Sequence, residues 1–478
     1  MRNKWKRKRL LSILVAAAMI IGLFPNTAFA NTEKTAANES ELTQAISEAS
    51  DQTTIKLTNS FTLTDKITIT DGKNIILDLN GKQISTPKQI IVYGDLTIKD
   101  SETNGKIDGS VGSMIVLNST GTLNLQSGVI QTTKYGAIKT GKGSTFNMSG
   151  GSVIGDGAIY ASNGTINITA GKVGLTDGST KKSIDNTSAT ITIGTNGETS
   201  KEAPWIDGLD IGTNKSANLY SGFITKVSGT FAPETVFGSS FGSDISNSLP
   251  AGKMCVKEND VFVVQKLTEE SDAAAKIGDT LYSSTTVAAK ALTEEQTLVL
   301  LKDVTVNTSS AAITISVPNT KLDLNGHNVT NTHEQGTGIL MKTTYGNTKE
   351  DVVANVQNSG SKQSTVKAAI PLSFSSGNSQ YAMNINMSGD IALESSTGQN
   401  IKLGTAAQLV YSESAAAAVG NGGFKTTTAG GEYIYGSLAN AISASSDGYV
   451  ELLNDYSGFD PLKIADGKTG TLDLQGHT

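Results

Sequence analysis

The chain has 478 residues, enough for two or three domains, with 38 lysines and arginines against 44 aspartates and glutamates, a formal net charge of −6. An acidic chain is a poor partner for nucleic acid or an anionic lipid surface. A single cysteine, Cys255, excludes an intramolecular disulfide, so a stable fold has to rest on a large buried core.

Residues 1–30 read as a signal peptide. Arg2, Lys4, Lys6, Arg7, Lys8 and Arg9 precede an apolar run from Leu10 to Phe24, and Ala28-Phe29-Ala30 is a small-residue cleavage site. The run is short for a membrane anchor and Pro25 follows it. No later segment is apolar enough to span a bilayer. The expected address is secreted, at the cell surface or cell wall, with no membrane span after signal removal. Cleavage leaves 32 cations against 44 acidic residues, about −12, and removes every arginine, since Arg2, Arg7 and Arg9 are the only three.

After a short leader, Leu42, Ala45 and Ile46 have the spacing of one helical face. Ala288, Ala291 and Leu292 repeat it, and so do Leu438, Ala441 and Ile442. Each is followed by a strand reading ending at Leu57-Thr58-Asn59, Leu301-Lys302-Asp303 or Leu453-Asn454-Asp455. Then comes the strongest repeat of the chain: Leu77-Asp78-Leu79-Asn80-Gly81, Leu322-Asp323-Leu324-Asn325-Gly326 and Leu472-Asp473-Leu474-Gln475-Gly476. The alternation is a strand signal, and Asn-Gly or Gln-Gly ends it. The distance from Ile46 to Leu77 is 31 residues; from Leu292 to Leu322 and from Ile442 to Leu472 it is 30. A repeat of this kind outranks local signals.

Short strands follow the first copy: Leu96-Thr97-Ile98, Leu123-Asn124-Leu125, Phe146-Asn147-Met148, Ile166-Asn167-Ile168 and Ile191-Thr192-Ile193, at steps of 19, 27, 23, 20 and 25 residues. A step near two dozen suits one coil of a parallel β-helix, each strand stacking on its counterpart one turn earlier, about 4.8 Å away. The fold expected is all-β: tandem right-handed parallel β-helix modules, each opened by a short helix that covers the open coil. The boundaries read as module one at 38–265, a linker at 266–278, module two at 279–428, and the start of a truncated third module at 429–478.

Ala275-Lys276-Ile277-Gly278-Asp279-Thr280-Leu281-Tyr282, the helix after it, Leu300-Leu301-Lys302-Asp303-Val304 and the Leu-Asp-Leu-Asn-Gly strand resemble the repeat of large secreted surface proteins of Gram-positive bacteria. Those are similar to the pectin-lyase-like right-handed β-helix superfamily. The resemblance implies the architecture and leaves two function classes: a non-catalytic adhesin or envelope scaffold, and a polysaccharide-degrading enzyme. Lyases of that superfamily use an Arg or Lys base with calcium held by Asp clusters, and its esterases pair carboxylates with an Arg. With arginine confined to residues 1–30 and no Asp cluster beside a lysine, the non-catalytic class is preferred. A hydrolase needs two carboxylates about 5–10 Å apart, which stacked coils could supply from distant positions.

No catalytic residue, cofactor or metal site is expected. His327 and His477 occupy the turn position that Lys82 holds in the first copy, and His333 lies in a polar loop. Gly155-Asp156-Gly157 alone is too little for a calcium loop. Cys255 reads as a small buried apolar residue, and Trp205 as a loop anchor or a sugar platform. The candidate binding element is a row formed by the middle residues of successive strands: Asp78, Asn124, Asn147, Asn167 and Asn218, with Thr97, Thr192, Asp323, Asn355, Asn386 and Asp473 in the same pattern. Such a row has two readings, amides bonded to one another along the stack and a polar strip facing glycan hydroxyls. The expected partner is a polysaccharide or a host or cell-envelope surface.

Overall fold

The computed structural model describes residues 32–50, 52–176, 182–198, 203–343, 351–376, 382–404, 407–420, 422–456 and 467–478. The expected signal segment, 1–30, lies outside them. The described residues form an all-β parallel solenoid of the right-handed type, with only short helices. They group into two compact units, Met1–Asp210 with Tyr220–Phe223, and Ile211–Leu219 with Ile224–Thr478.

In the first unit each coil gives one short strand to each of three parallel sheets. The first sheet stacks Gln52–Leu57, Asn74–Asp78, Asp95–Lys99, Thr122–Leu125, Thr145–Met148, Thr165–Ile168 and Thr190–Ile193 in chain order. The second stacks Ile67–Ile69, Ile90–Val92, Ile115–Leu117, Ile138–Thr140, Ile159–Ala161, Ile184–Asn186 and Leu209–Asp210. The third includes Gln83–Thr86, Lys106–Gly109, Val129–Tyr135 and Ser152–Asp156. Parallel pairing requires a full circuit between partners, which is why the sequence steps are about the same length.

Alternation in each strand puts apolar side chains inward, and register puts like on like. Ile55, Leu77, Ile98, Leu125, Met148, Ile168 and Ile193 form one continuous buried ladder. Ile67, Ile90, Ile115, Ile138, Ile159, Ile184 and Leu209 form another. Each such side chain contributes about 1.5–3 kcal/mol by burial, a contribution that small disulfide-rich folds obtain from their cross-links instead.

The Leu-Asp-Leu-Asn-Gly segment is a corner. The N–H of Lys82 donates to the carbonyl of Leu79 at 2.8 Å, across Asn80 (φ 49°) and Gly81 (φ 72°). Two positive φ angles in a closed four-residue turn mark type I′, which only Gly and Asn enter cheaply. His327 to Leu324, across Asn325 and Gly326, and His477 to Leu474, across Gln475 and Gly476, repeat the turn at 2.8 Å each. The corner also ties its neighbours: Asn80 Nδ2 donates to Leu57 O at 2.8 Å on the preceding coil, and Asn325 Nδ2 to Leu300 O at 3.0 Å. These bonds align Leu57 with Leu300, one residue away from the alignment expected from sequence. Ser60 is therefore the counterpart of Asp303.

In the second unit, Thr297–Leu300, Thr320–Asp323, Val352–Gln357, Met383–Ser388 and Ala407–Val410 run parallel in one sheet. Two four-stranded sheets complete its coils. Antiparallel strands flank the parallel stack, Ala275–Ile277 against Thr297–Leu300 and Gly431–Tyr435 against Ala407–Val410. The stretch expected as a linker, 266–278, thus ends in a strand, with Ala275 fully buried. Val261–Lys266 is one arm of an antiparallel hairpin with Lys253–Glu258. Phe424, Tyr435, Leu438, Ala441, Ile442, Val450 and Leu452 form an apolar cluster apart from the main core of this unit.

The α-helices among the described residues are Glu39–Ser47, Thr285–Ala291, Glu413–Val419 and Leu438–Ala444, with one 3-10 turn at Ser246–Ser248. The first buries Leu42, Ala45 and Ile46 and the last Leu438, Ala441 and Ile442, the faces their spacing implies. Thr285–Ala291 buries Ala288 and Ala289, while Ala291 stays exposed and Leu292 is buried just past the helix. The first helix has a reciprocal cap: Asn38 Oδ1 accepts from Glu41 N at 3.0 Å, and Glu41 Oε2 accepts from Ala37 N at 2.8 Å. Among the described residues no helix is long and apolar enough to cross a membrane.

Candidate functional site

Strand register divides the row of middle residues. Thr97, Asn124, Asn147, Asn167 and Thr192 are direct partners on successive strands. Asn147 Nδ2 donates to Asn124 Oδ1 at 2.9 Å, and Asn167 Nδ2 to Asn147 Oδ1 at 2.9 Å. Thr122, Thr145, Thr165 and Thr190 form a parallel column beside them. Each Asn is half-buried, and Asn124 and Asn147 each spend one donor and one acceptor on their neighbours, Asn124 Nδ2 reaching Thr97 Oγ1 at 3.4 Å.

Asp78 is not in this row. It pairs with Lys99, two residues along from Thr97, and is 3 % exposed. Its Oδ1 accepts the N–H of Asn80 and of Ser101, both at 3.0 Å. Asp323 does the same with Asn325 N at 2.9 Å and Ser359 N at 3.0 Å, and its Oδ2 takes Gln357 Nε2 at 2.9 Å. Burial opposes ionisation of Asp323, but the bonds from Ser359, Gln357 and Asn325 outweigh it and hold the carboxyl below its ordinary value. Asp473 likewise accepts from Gln475 N at 3.0 Å. The Asp of the repeat is a fastener of the corner. Asn218 lies in Ala217–Leu219 of the second unit, opposite Val236. In that unit the counterpart row is Lys321, Asn355 and Asn386, with Asn386 Nδ2 donating to Asn355 Oδ1 at 3.2 Å.

A different cluster forms on the second sheet of the first unit. Its outward middle residues run Val116, Lys139, Tyr160, Asp185 and Asp210 in direct register. Tyr135, at the end of its strand, reaches over: its ring lies 5.7 Å from that of Tyr160, and its hydroxyl donates to Asp185 Oδ2. A Cβ on Gly157 would come within 2.4 Å of the Tyr135 ring, so Gly157 is the bed of that ring rather than part of a calcium loop. Lys182 Nζ lies 3.1 Å from Asp185 Oδ1 and bonds Asp210 Oδ2 as well.

Burial and the adjacent Asp185 push the Tyr135 phenol far above its usual pKa, so it remains a hydrogen-bond donor at any physiological pH. Burial works against the charge on Lys182, but the bonds to Asp210 and Asp185 outweigh it and raise its pKa. Tyr135 is 39 % exposed. The cluster offers two aromatic rings beside a fixed ammonium and two carboxylates, assembled from positions up to 75 residues apart (135 to 210). No local motif marks it; the signal available in the sequence was the equivalent position of Lys139, Tyr160 and Asp185 in successive Ile-x-x strands.

His327 Nδ1 meets Asp303 Oδ1 at 3.2 Å and His477 Nδ1 meets Asp455 Oδ1 at 3.5 Å. The N–H of Asn328, and after it His327, hold Asp303 below its usual pKa against a burial effect. His333 Nδ1 accepts from Gln335 N at 3.1 Å within its own turn. Among the described residues no three His, Cys, Asp or Glu side chains are placed to hold a metal. Cys255 is half-buried rather than buried, and burial pushes its thiol up to about 11. Trp205 is in a strand, its indole N–H on Asp207 Oδ1 at 2.7 Å and its ring 4.5 Å from Phe223. Compared with known proteins, the chain matches no family profile, no curated protein and no solved structure.

Proposed function

We propose that the chain is a non-catalytic, secreted scaffold of the cell surface, adhesin-like, whose first unit holds a neutral polysaccharide. The observation that carries this is the cluster of Tyr135, Tyr160, Lys182, Asp185 and Asp210. Sugar rings present apolar C–H faces and a rim of hydroxyls; tyrosine rings suit the first, and fixed charged groups suit the second. Two anions and one cation within the cluster, with Lys139 5.7 Å from the Tyr160 ring, leave no excess charge to select a charged sugar. The threefold corner motif supports kinship with Gram-positive surface proteins of the pectin-lyase-like β-helix type. Tandem modules at 38–265, 279–428 and 429–478, each opened by a covering helix, belong to the same proposal, supported by the buried faces of Glu39–Ser47 and Leu438–Ala444.

One observation favours the enzymatic reading: Asp185 and Asp210 stand on adjacent strands in direct register. Glycoside hydrolysis needs one carboxyl protonated as the acid. A charged lysine shared by the two closes them into an ion triad instead, and this weighs toward binding. The test is co-sedimentation of the purified protein with insoluble cellulose, chitin and mannan, beside Tyr135→Ala, with reducing sugar measured in the supernatant. Retention on one polymer, lost in the variant and without sugar release, is the expected result. Equal retention of the variant, or sugar release lost in Asp210→Asn, overturns it.

A further inference from the structure

The corner at His327 in the second unit opens a groove of about 730 Å³ lined by Lys302, Asp303, His327, Ser361, Lys362 and Gln363 among others. The same corner of the first unit shows what is distinctive about it. The bonds of Asn80 to Leu57 and of Asn325 to Leu300 match Asn59 with Lys302, Ser60 with Asp303 and Lys82 with His327. The bonds of Gly81 N to Asp100 Oδ1 and of Gly326 N to Asn358 Oδ1, both 2.7 Å, match Asp100 with Asn358. The loop that follows carries Glu102, Thr103 and Asn104 in the first copy, and Gly360, Ser361, Lys362 and Gln363 in the second. The first corner thus has Lys82 against Asp100 and Glu102. The second has Lys302 and Lys362 against Asp303, with His327 in the same lining, and the Asp390 carboxylate lies behind it, accepting from Gln363 Nε2 at 2.7 Å. Lysines outnumber carboxylates in the lining itself, in a chain that is acidic as a whole.

The walls are pre-arranged. Asn358, 7 % exposed, uses its whole amide: Nδ2 donates to Lys362 O at 2.7 Å and Asp390 O at 2.8 Å, while Oδ1 accepts from Gly326 N at 2.7 Å and Gly360 N at 3.1 Å. That pins the loop bearing Ser361 and Lys362 over the turn. Gly360 is needed for the approach, since a Cβ there would meet the backbone of Asn325 and Gly326 at 2.4 Å. On the opposite wall Lys302 Nζ is steadied by Asp272 O at 2.8 Å. With Nδ1–H given to Asp303, the other ring nitrogen of His327, Nε2, donates into the groove in the imidazolium form, which is the form an anion selects. Donors held in place in advance lose little entropy on binding.

We propose that this groove is a binding site for one anionic group, a carboxylate or a phosphate borne by a polymer, held by Lys302, His327 and Lys362. It is separate from the tyrosine cluster and does not depend on it. The chain has three histidines, so imidazole NMR reads the site directly, with His333→Gln and His477→Gln for assignment. The full chain is titrated with inorganic phosphate, with glucuronate, and with sodium chloride at matched ionic strength. The expected result is a saturable shift of the His327 resonances with phosphate or glucuronate and not with chloride, while His477, whose partner Asp455 follows Asn454 where Asp303 follows Lys302, stays in place. The tighter of the two probes names the source of the anion. Lys302→Asn, which installs the residue of the first copy, and Lys362→Gln each weaken binding about threefold, and together about tenfold, at unchanged melting temperature. A His327 response no larger than that to chloride, or undiminished binding by the double variant, overturns the proposal.

Discussion

The carboxylate of Asp78 accepts the backbone N–H of Ser101, 23 residues further along the chain, at 3.0 Å, while the same oxygen closes on Asn80 N within its own corner. One side chain therefore fastens a turn to itself and to the coil above. Asp78→Ala removes the acceptor of two backbone donors in a buried setting. The expected loss is about 2–3 kcal/mol for the first unit, read by urea unfolding. A change below about 0.5 kcal/mol would falsify the fastening role.

The amide row makes a smaller demand. Asn147 sits between Asn124 and Asn167 and bonds both, so Asn147→Ala breaks two side-chain bonds in a half-buried site. About 1 kcal/mol of stability is lost, with polysaccharide retention unchanged, because the row is assigned to holding the stack together. Loss of retention at native-like stability would move the binding face from the tyrosine cluster to this row.

Asp323 gives the second unit a defined acid response. Its folded pKa lies below the unfolded value of about 3.9, so its contribution is complete above that value and disappears as pH falls through the folded pKa. The stability difference between the wild type and Asp323→Asn should therefore be largest near neutrality and shrink below pH of about 4. Denaturant melts across this range check it; a difference independent of pH would show that the carboxylate's charge is not what the corner uses.

The proposal that the first helix covers the open coil edge can be tested at Ile46. Ile46, 8 % exposed, is one of the three residues it buries. Ile46→Asp places a carboxylate in that contact and should lower stability by about 3 kcal/mol or more, with exposure of strand edges and aggregation on warming. Melting of the variant together with the wild type, with no aggregation by light scattering, would remove the covering role.

The sequence by itself determined that this chain coils. A period of two within strands, repeated at steps near two dozen residues, turns Leu77, Ile98, Leu125 and Met148 inward, and that inward face needs no long-range information to be recognised. The Asn-Gly corners were equally legible, because positive φ is a property of single residues. Register was not. Asp78 has the same local pattern as Asn124, yet it falls two positions along the stack, since the alignment of strands is decided by the loops between them and by bonds such as Asn80 to Leu57. Tyr135, Lys182, Asp185 and Asp210 meet only because consecutive coils rise by one strand spacing, about 4.8 Å, and so place residues distant in sequence side by side. The pair of lysines lining the corner at His327 also stands out only once Ser60 and Asp303 are seen to occupy the same corner. Short-range steric preferences write the coil into the sequence; which side chains share a surface depends on how each coil lands on the one before it.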